Sequence, residues 1–218
     1  MLLSLHNCSL NHAPDISWTS HSLVVLRLKK NMITSIPQDY FRDCKKLTNL
    51  DLGMNLLMGT QYIHHVRDSL VFLNVRHNGV KFCGPLCDES YPRLAHVDFA
   101  DNNLQEFRMK SVERWPKLKF LNLNQNHLTT LSDLTLIENS GEEIPLSIGQ
   151  NPFVCDNRLA WIVTKKMEEC VQGIFHKYCF MKYGVFKLNL VDSVPKCHKP
   201  EYLQNETVWD LGETRNIG

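Results

Sequence analysis

The sequence has no long hydrophobic run, no clear excess of charge of either sign and no motif typical of an enzyme active site. No apolar stretch approaches the roughly 18 to 20 residues that span a bilayer, so we expect membrane attachment only through a segment outside this chain. Its 24 Lys and Arg residues nearly balance 23 Asp and Glu residues, whereas nucleic-acid binding by phosphate neutralisation usually needs a basic excess. A glycine-rich phosphate loop, a nucleophile elbow and a paired acid–base signature are missing. We therefore expect no nucleic-acid binding, no catalysis and no cofactor.

Cysteine, in contrast, is plentiful. The chain has eight, and four of them cluster in its last quarter: Cys155, Cys170, Cys179 and Cys197. Clustered cysteines near a terminus indicate disulfides and an oxidising compartment. Two glycosylation sequons, at Asn7 and Asn205, agree with that compartment. We predict an extracellular protein, secreted or on the cell surface, glycosylated at both asparagines.

The chain consists largely of one pattern repeated at a period of about 24 residues. Its complete lines are Leu23-x-x-Leu26-x-Leu28-x-x-Asn31, Leu47-x-x-Leu50-x-Leu52-x-x-Asn55, Leu70-x-x-Leu73-x-Val75-x-x-Asn78, Leu94-x-x-Val97-x-Phe99-x-x-Asn102 and Leu118-x-x-Leu121-x-Leu123-x-x-Asn126. A partial line, Leu3-x-Leu5-x-x-Cys8, precedes them, and a degenerate one, Leu146-x-Ile148-x-x-Asn151, follows. Repeats of this length predict a solenoid in which each unit touches only its neighbours. The alternating apolar positions predict one short parallel strand per repeat, with its leucines pointing inward.

An asparagine follows each predicted strand, where the chain turns. Buried backbone groups at such a turn need partners, and an amide side chain both donates and accepts. We expect the stacked asparagines to form a ladder that bonds the backbone of adjoining turns. Cys8 occupies the same slot in the first repeat and is predicted to be a buried free thiol; the alternative is a disulfide with Cys44 or with a cysteine outside this chain. Cys44 itself is expected to be a small buried filler.

The segment that ends the repeats carries a second motif, Asn151-Pro152-x-x-Cys155 followed by Leu159 and Trp161, and later Cys197-x-x-Pro200-x-x-Leu203. It resembles the C-terminal cysteine cap of extracellular leucine-rich repeat proteins such as Toll-like receptor ectodomains, variable lymphocyte receptors and platelet glycoprotein receptors. The resemblance covers residues 1–211. It implies an α/β horseshoe solenoid with a parallel concave sheet, with repeats over 1–150, the cap over 151–211 and a tail over 212–218.

One position departs from the family's cap. Asn157 stands where the family has its second cap cysteine. The resemblance implies a Cys155–Cys179 disulfide, and it leaves Cys170 as the partner of Cys197; spacing alone leaves three pairings of four cysteines open. Residues 173–190, rich in aromatics and lysines, either fill the cap core or form a second contact surface.

The other end of the chain lacks the N-terminal cysteine cap of the family, and the sequence opens in mid-repeat. A first strand with an unpaired edge invites strand addition. Three explanations remain open: a truncated chain, a homodimer contact at this edge, or an edge made tolerant of solvent by polar residues such as His6 and Asn11.

Outward positions on the predicted strands form the concave face, which carries the ligand in this family more often than any other surface. We predict a ligand contact at Arg27, Asp51, Phe72, Asn74, Arg76, His96, Asp98, Phe120 and Asn122. Its centre is Phe72, Arg76, His96, Asp98 and Phe120, because aromatic and arginine side chains are the usual anchors of interfaces. The alternative is an ordinary solvated sheet face with single exposed apolar residues.

The resemblance therefore implies a recognition module of the innate-immune or antigen-receptor kind, binding a microbial glycan or a protein. One alternative is an adhesion or matrix protein that organises protein partners. Another is a cytosolic enzyme or its regulator, which reduced cap thiols would favour. For Cys83 and Cys87 we expect a local disulfide or two loop thiols rather than a zinc half-site, since no second cysteine pair lies at zinc spacing.

Overall fold

The computed structural model describes residues 1–108, 113–131 and 144–154 together with two short strands nearer the C-terminus; for 144–146 and those two strands only the backbone is described. The chain forms a solenoid whose turns each contribute one strand to a parallel sheet. The strands are β1 Leu2–Ser4, β2 Val25–Arg27, β3 Asn49–Asp51, β4 Phe72–Asn74, β5 His96–Asp98, β6 Phe120–Asn122, β7 Ile144–Ser147, β8 Phe153–Val154, β9 Phe186–Lys187 and β10 Cys197–Lys199. We number the turns of the solenoid by the strand that opens them, from turn 1 to turn 7.

Equivalent residues of successive turns lie directly beside one another. Leu26 pairs with Leu50, and Leu50 with Leu73, in unbroken parallel register. The middle residues of β2 to β6 are fully buried, and burying each such side chain stabilises the fold by roughly 1.5–3 kcal/mol gross. The predicted leucine-rich repeat solenoid, with its parallel strands and inward-facing apolar residues, is confirmed.

The predicted asparagine ladder is present. In turn 5, the side-chain oxygen of Asn102 accepts the Val80 N–H at 2.9 Å, and its amide nitrogen donates to the Val75 and Phe99 carbonyls at 2.9 and 3.0 Å. Val75 and Val80 belong to the preceding turn, so each asparagine connects two turns. The same contacts recur along a column of equivalent residues, which is Asn31, Asn55, Asn78, Asn126 and Asn151.

The prediction of a buried thiol at Cys8 is wrong. Cys8 is free and exposed, whereas Cys44 is free and buried. The slot of Cys8 lies in the turn at the end of the described sheet, so a neighbouring turn covers it on one side only. Asn31 bonds the backbone N–H of Cys8 and leaves the sulfur outside. Burial confirms Cys44 as a core filler and raises the pKa of its thiol to about 11; a disulfide between the two is excluded.

A second column, not expected from the sequence, lies one residue before the asparagines. Its members have φ between 54° and 60°, and none is glycine: Asn7, Lys30, Met54, His77, Asp101, Gln125 and Gln150. The left-handed region costs a residue with a side chain roughly 1–2 kcal/mol. In return the backbone N–H of Met54 donates to the Arg76 carbonyl of the next turn at 2.7 Å, and Gln125 repeats this with Gly149 at 2.9 Å.

The convex side closes each turn with short helices or bends. It contains 3₁₀ helices at Ser20–Ser22 and Gln61–Val66 and the short helix α1 at Pro85–Asp88. Trp115 is buried there and donates its indole N–H to the Leu86 carbonyl at 3.0 Å. Among the residues described, no helix has the length and apolar character needed to cross a bilayer.

Two strands from the C-terminal part of the chain meet the end of the solenoid. β9 pairs in parallel with β7, and β10 pairs with β8, where Cys197 lies opposite Phe153. The remaining predictions for this part lie outside the described residues. They are the two cap disulfides, with Cys155, Cys170 and Cys179, the role of residues 173–190, of which only the backbone of β9 is described, and the sequon at Asn205.

Candidate functional site

The outward side chains of β2 to β6 form the concave face, and the parallel register sets them in rows. Arg27, Asp51, Asn74, Asp98 and Asn122 follow one another across five neighbouring strands. A second row crosses the same strands two residues earlier. Because each predicted contact residue falls on this face, the structure brings the whole predicted set onto one surface; whether a ligand binds there stays a prediction.

Three rings stand side by side at the centre of this face. The ring centroid of His96 lies 6.3 Å from that of Phe72 and 6.5 Å from that of Phe120. The rings are tilted by 39° and 32° to one another, and His96 is exposed while the two phenylalanines are half-buried. Two apolar rings on either side of an imidazole give a surface that can pack against an apolar group and donate or accept a hydrogen bond.

Next to the rings, carboxylates and amides alternate and hold one another. The amide nitrogen of Asn74 donates to an Asp51 carboxylate oxygen at 2.9 Å. Asp98 accepts the Ala100 backbone N–H at 2.9 Å and a hydrogen bond from the Asn122 side chain. These side chains are half-buried, so their hydrogen bonds fix the polar groups before any ligand arrives.

Asp98 is the titratable group on this face whose environment changes its acidity. Burial raises the pKa of its carboxyl group, while the Ala100 N–H, the nearby Arg76 guanidinium and Asn122 act in the opposite direction. The net direction is upward. A carboxylate that is costly to keep charged favours a ligand that brings a positive charge or a hydrogen-bond donor to it.

The two arginines of the predicted set are exposed. Arg27 lies on β2, opposite Asp51 in register, and Arg76 follows β4, where its guanidinium acts on Asp98. Gly53 and Ala100, which follow the third apolar residue of their repeats as Arg76 does, are buried. At Gly53 the reason is the Asn74 amide, which lies 3.0 Å from where a Cβ would stand.

Sequence analysis missed a second surface beside the concave face. We define the lateral surface as the exposed side of turns 2 to 4 that begins at the left-handed column and continues past the asparagines, made by Lys30, Met32, Met54, Leu56, Met58, Gly79, Lys81 and Phe82. Its apolar side chains are 41–60% exposed. The signal was present as an additional apolar residue beside a core aliphatic, Met32 before Ile33 and Leu56 before Leu57.

At the far side of the lateral surface, Cys83 and Cys87 form a disulfide across helix α1. The local disulfide is therefore the correct alternative for this pair. A pocket of ≈ 190 Å³ opens beside it between turns 4 and 5, lined by Phe82, Phe107 and the charged groups of Asp88, Glu106 and Arg108. Within the described ranges, no cluster of three or more His, Cys, Asp or Glu side chains is arranged to hold a metal ion.

Asn7 of the first sequon is exposed and has a φ of 57°. An exposed turn residue is accessible to a glycosylating enzyme. Glycosylation at Asn7 stays a prediction, as does that at Asn205.

No family model matches the chain. It is similar to Toll-like receptor 2 type-1 of Gallus gallus, with 31% identity over 150 residues that cover 67% of this chain and 18% of that protein. It is also similar to keratocan of Gallus gallus, with 32% identity over 136 residues, 55% of this chain and 37% of that protein.

A third relative is leucine-rich repeats and immunoglobulin-like domains protein 2 of Homo sapiens, with 24% identity over 135 residues, 59% of this chain and 12% of that protein. The chain thus spans well under two thirds of the length of each of these three relatives. The likeness covers only part of each relative, so it does not assign the role of the whole relative to this chain.

Proposed function

Because the chain is a leucine-rich repeat protein similar to Toll-like receptor ectodomains, we propose that it is an extracellular recognition module, of the innate-immune receptor kind, that binds a microbial or protein ligand on its concave face. One observation carries this proposal: the row of Phe72, His96 and Phe120, with ring centroids 6.3 and 6.5 Å apart, beside hydrogen-bonded carboxylates and amides. Aromatic rings with fixed polar neighbours are typical of interface centres.

The same proposal includes the organisation and location of the chain. Repeats over 1–150 would present the ligand surface, and a cap over 151–211 would cover the apolar end of the solenoid, since terminal units need a polar outer face. The Cys83–Cys87 disulfide supports an oxidising, extracellular environment. We propose the pairs Cys155–Cys179 and Cys170–Cys197 for the cap; peptide mapping under non-reducing conditions tests them.

The role we propose is binding without catalysis, with no cofactor and no nucleic-acid partner. The polar groups of the concave face bond to one another rather than forming a nucleophile with a base in reach. A homodimer formed by strand addition at β1 remains part of the proposal. Light scattering of the purified chain over a range of concentrations tests it.

The test of ligand binding is a screen of the immobilised protein against whole bacteria and fungi, their purified envelope polymers, and a panel of host cell-surface proteins. Two variants then locate the contact on whichever probe binds. Arg76→Glu and His96→Ala change exposed side chains on the concave face, and we expect each to weaken binding by about tenfold or more, as for an interface anchor.

Arg93→Glu is the matched control, because Arg93 belongs to the same turn as Arg76, is also exposed and lies outside the strands of the concave sheet. Its binding should stay within about twofold of the unchanged protein. Equal binding by all three variants would remove the concave face as the site. Binding to host proteins but to no microbial material would favour the adhesion or matrix alternative.

A further inference from the structure

The lateral surface exposes more apolar area than an isolated surface residue would. Met32 is 47% exposed, Leu56 55%, Met58 60% and Phe82 59%. Single exposed apolar residues are common on soluble proteins, but a contiguous group usually marks an interaction site. The question is then whether these side chains are contiguous and what they would bind.

Backbone contacts show that they are neighbours. The Leu56 N–H donates to the Ile33 carbonyl at 2.9 Å, which sets Leu56 beside Met32 in the adjoining turn. The Lys81 N–H reaches the Met58 carbonyl at 3.4 Å, which brings Phe82 next to Met58. Gly79 lies between them, and a Cβ built there would stand 3.9 Å from Met58 Cγ and 4.0 Å from the Asn103 amide nitrogen. Because glycine has no side chain, the surface has a shallow depression there, bordered by Met58, the Leu57 carbonyl and the Asn103 amide.

The charge of this surface has one sign. Segments 30–35, 54–59 and 77–82 contain Lys30, Lys81 and His77 but no aspartate or glutamate. Carboxylates start in turn 5 with Asp101, which contacts the His77 ring, and Glu106, which lines the neighbouring pocket. The apolar strip is thus flanked by one ammonium group in turn 2 and one in turn 4, and it ends where acidic residues begin.

This combination favours a partner that is apolar on one side and acidic on the other. A second copy pairing through the same surface would bring lysines against lysines, which disfavours self-association. A flat bilayer would also press on the polar residues of the same column in the flanking turns, Ser9, Asn103 and His127. Neighbouring strands lie about 4.8 Å apart, so three turns match the spacing of side chains one turn apart along a helix, about 5.4 Å.

We propose that the lateral surface docks an acidic amphipathic helix of a protein partner, with its apolar stripe on Met32, Leu56, Met58 and Phe82 and its carboxylates against Lys30 and Lys81. Methionine side chains are unbranched and adapt to the shape of such helices. Anchors spaced three and four residues apart are the usual way in which a helix lies in an apolar groove. This interaction is separate from the concave face and does not depend on what binds there.

The test uses a displayed library of helices of about 16 residues, roughly four turns, with a constant leucine stripe and polar positions drawn from Glu, Asp, Lys and Arg. Selection against the full chain should enrich acidic helices. Gly79→Asp places a carboxylate in the depression at ordinary contact distances and should weaken the enriched helices by about tenfold or more. Gly79→Lys, of opposite charge at the same place, should bind them at least as tightly as the unchanged chain.

His127→Asp is the matched control, since His127 is exposed and it introduces the same charge at the equivalent position of turn 6, two turns away from the depression; it should change binding by less than about twofold. Enrichment of basic or uncharged helices, or equal binding by the two Gly79 variants, would overturn the proposal. If either Gly79 variant melts early, Leu56→Ser and Phe82→Ser replace it, because both side chains are more than half exposed.

Two further measurements distinguish a bilayer and a second copy of the chain from the proposed helix. Vesicles of phosphatidylserine and phosphatidylcholine that bind the chain, with loss in Gly79→Asp and no helix enriched, would assign the surface to a bilayer. A concentration-dependent dimer in light scattering that Gly79→Asp abolishes, again with no helix enriched, would assign it to a second copy. Either result rejects the helix. Arg76→Glu, on the concave face, should leave helix binding unchanged.

Discussion

The concave face and the lateral surface are neighbours on the same turns, yet their side chains are held differently. On the concave face, Asn74 bonds to Asp51 and Asn122 bonds to Asp98. On the lateral surface, Met58 and Phe82 are about 60% exposed and extend into solvent. A set of side chains that is already ordered suits a ligand of one shape, because little entropy is lost on binding. Exposed methionines suit ligands that vary in shape.

The buried asparagine column supports both surfaces, so a change in it should have the largest effect. Asn102→Ala removes the acceptor of the buried Val80 N–H and the donor to the Val75 and Phe99 carbonyls. Leaving buried groups unpaired costs roughly 1–3 kcal/mol each, and we expect a loss of about 3 kcal/mol or more in the free energy of unfolding. Urea denaturation measures it. Asn103→Ala, exposed and adjacent, should cost less than about 0.5 kcal/mol.

Removing the Cys83–Cys87 disulfide should lower the stability of the fold and weaken binding at the lateral surface but not at the concave face. The bond closes a loop with a sequence separation of 4, for which loop-closure entropy gives on the order of 2 kcal/mol. Thermal melting of the Cys83→Ser, Cys87→Ser double variant tests this stability loss. We also expect weaker helix binding beside Phe82 with unchanged binding at the concave face. A loss of concave binding of similar size would show that the two surfaces are coupled.

The left-handed column lies at the border of the two surfaces. Substitution by glycine in this column should increase the stability of the fold rather than decrease it. Gln125 has a φ of 54°, where glycine avoids a steric cost that other residues bear. Gln125→Gly should raise the free energy of unfolding by about 0.5–1 kcal/mol, the net of relieved strain and a more flexible unfolded chain. Gln125→Val, β-branched at the same place, should lower it. If both variants lose stability, the left-handed conformation is not the limiting factor there.

The smallest effect on stability should come from substituting Asp98, which lies on the concave face. Burial raises its folded pKa above the ordinary value of 3.8, so the folded state holds this proton more tightly than the unfolded state. Stability from this group therefore increases as the pH falls through the folded pKa and levels off below the unfolded one. Asp98→Asn should be more stable than the unchanged chain at neutral pH, and the difference should disappear on acidification.

Asp39→Asn is the matched control for which the opposite pH dependence of stability is expected. Hydrogen bonds from His65 and Arg42 lower the pKa of Asp39, so its contribution is present above the unfolded pKa and is lost as the pH falls through the lower folded value. The difference between this variant and the unchanged chain should therefore have the other sign. Denaturation curves collected between neutral pH and about pH 3 for both variants decide it. Two slopes of the same sign would contradict the assignment to Asp98.

Most of the interior could be predicted from the sequence because the interior repeats. Residues equivalent to Asn102 and to Leu50 occur in each repeat at a nearly constant interval. A residue type that recurs in this way meets the same neighbours in each turn. The rows of side chains on the concave face follow from the same interval, which places Phe72, His96 and Phe120 on one face. The interval does not identify the ligand, because the residues on the concave face differ from turn to turn.

Features that depend on the end of the solenoid or on backbone conformation were missed. Cys8 fills the slot of an asparagine, and its exposure follows from its place beside β1, the first strand of the described sheet, rather than from its own type. The left-handed column includes Met54 and Gln125, residue types with no preference for positive φ, so composition gave no signal. The lateral surface was not predicted because Met32 and Leu56 directly precede the core residues Ile33 and Leu57, and a pair of adjacent apolar residues does not indicate which of the two is exposed.

The asparagine column has one more consequence. Each amide satisfies groups in its own turn and in the one before it, and the set of atoms involved is the same at each step. A stretch of about 24 residues cut at equivalent points could thus be deleted or duplicated, and the new junction would recreate the bonds it replaced. Changes of length by whole units are therefore the alterations such a chain tolerates best, and the number of units can change over generations while the way each one folds is inherited intact.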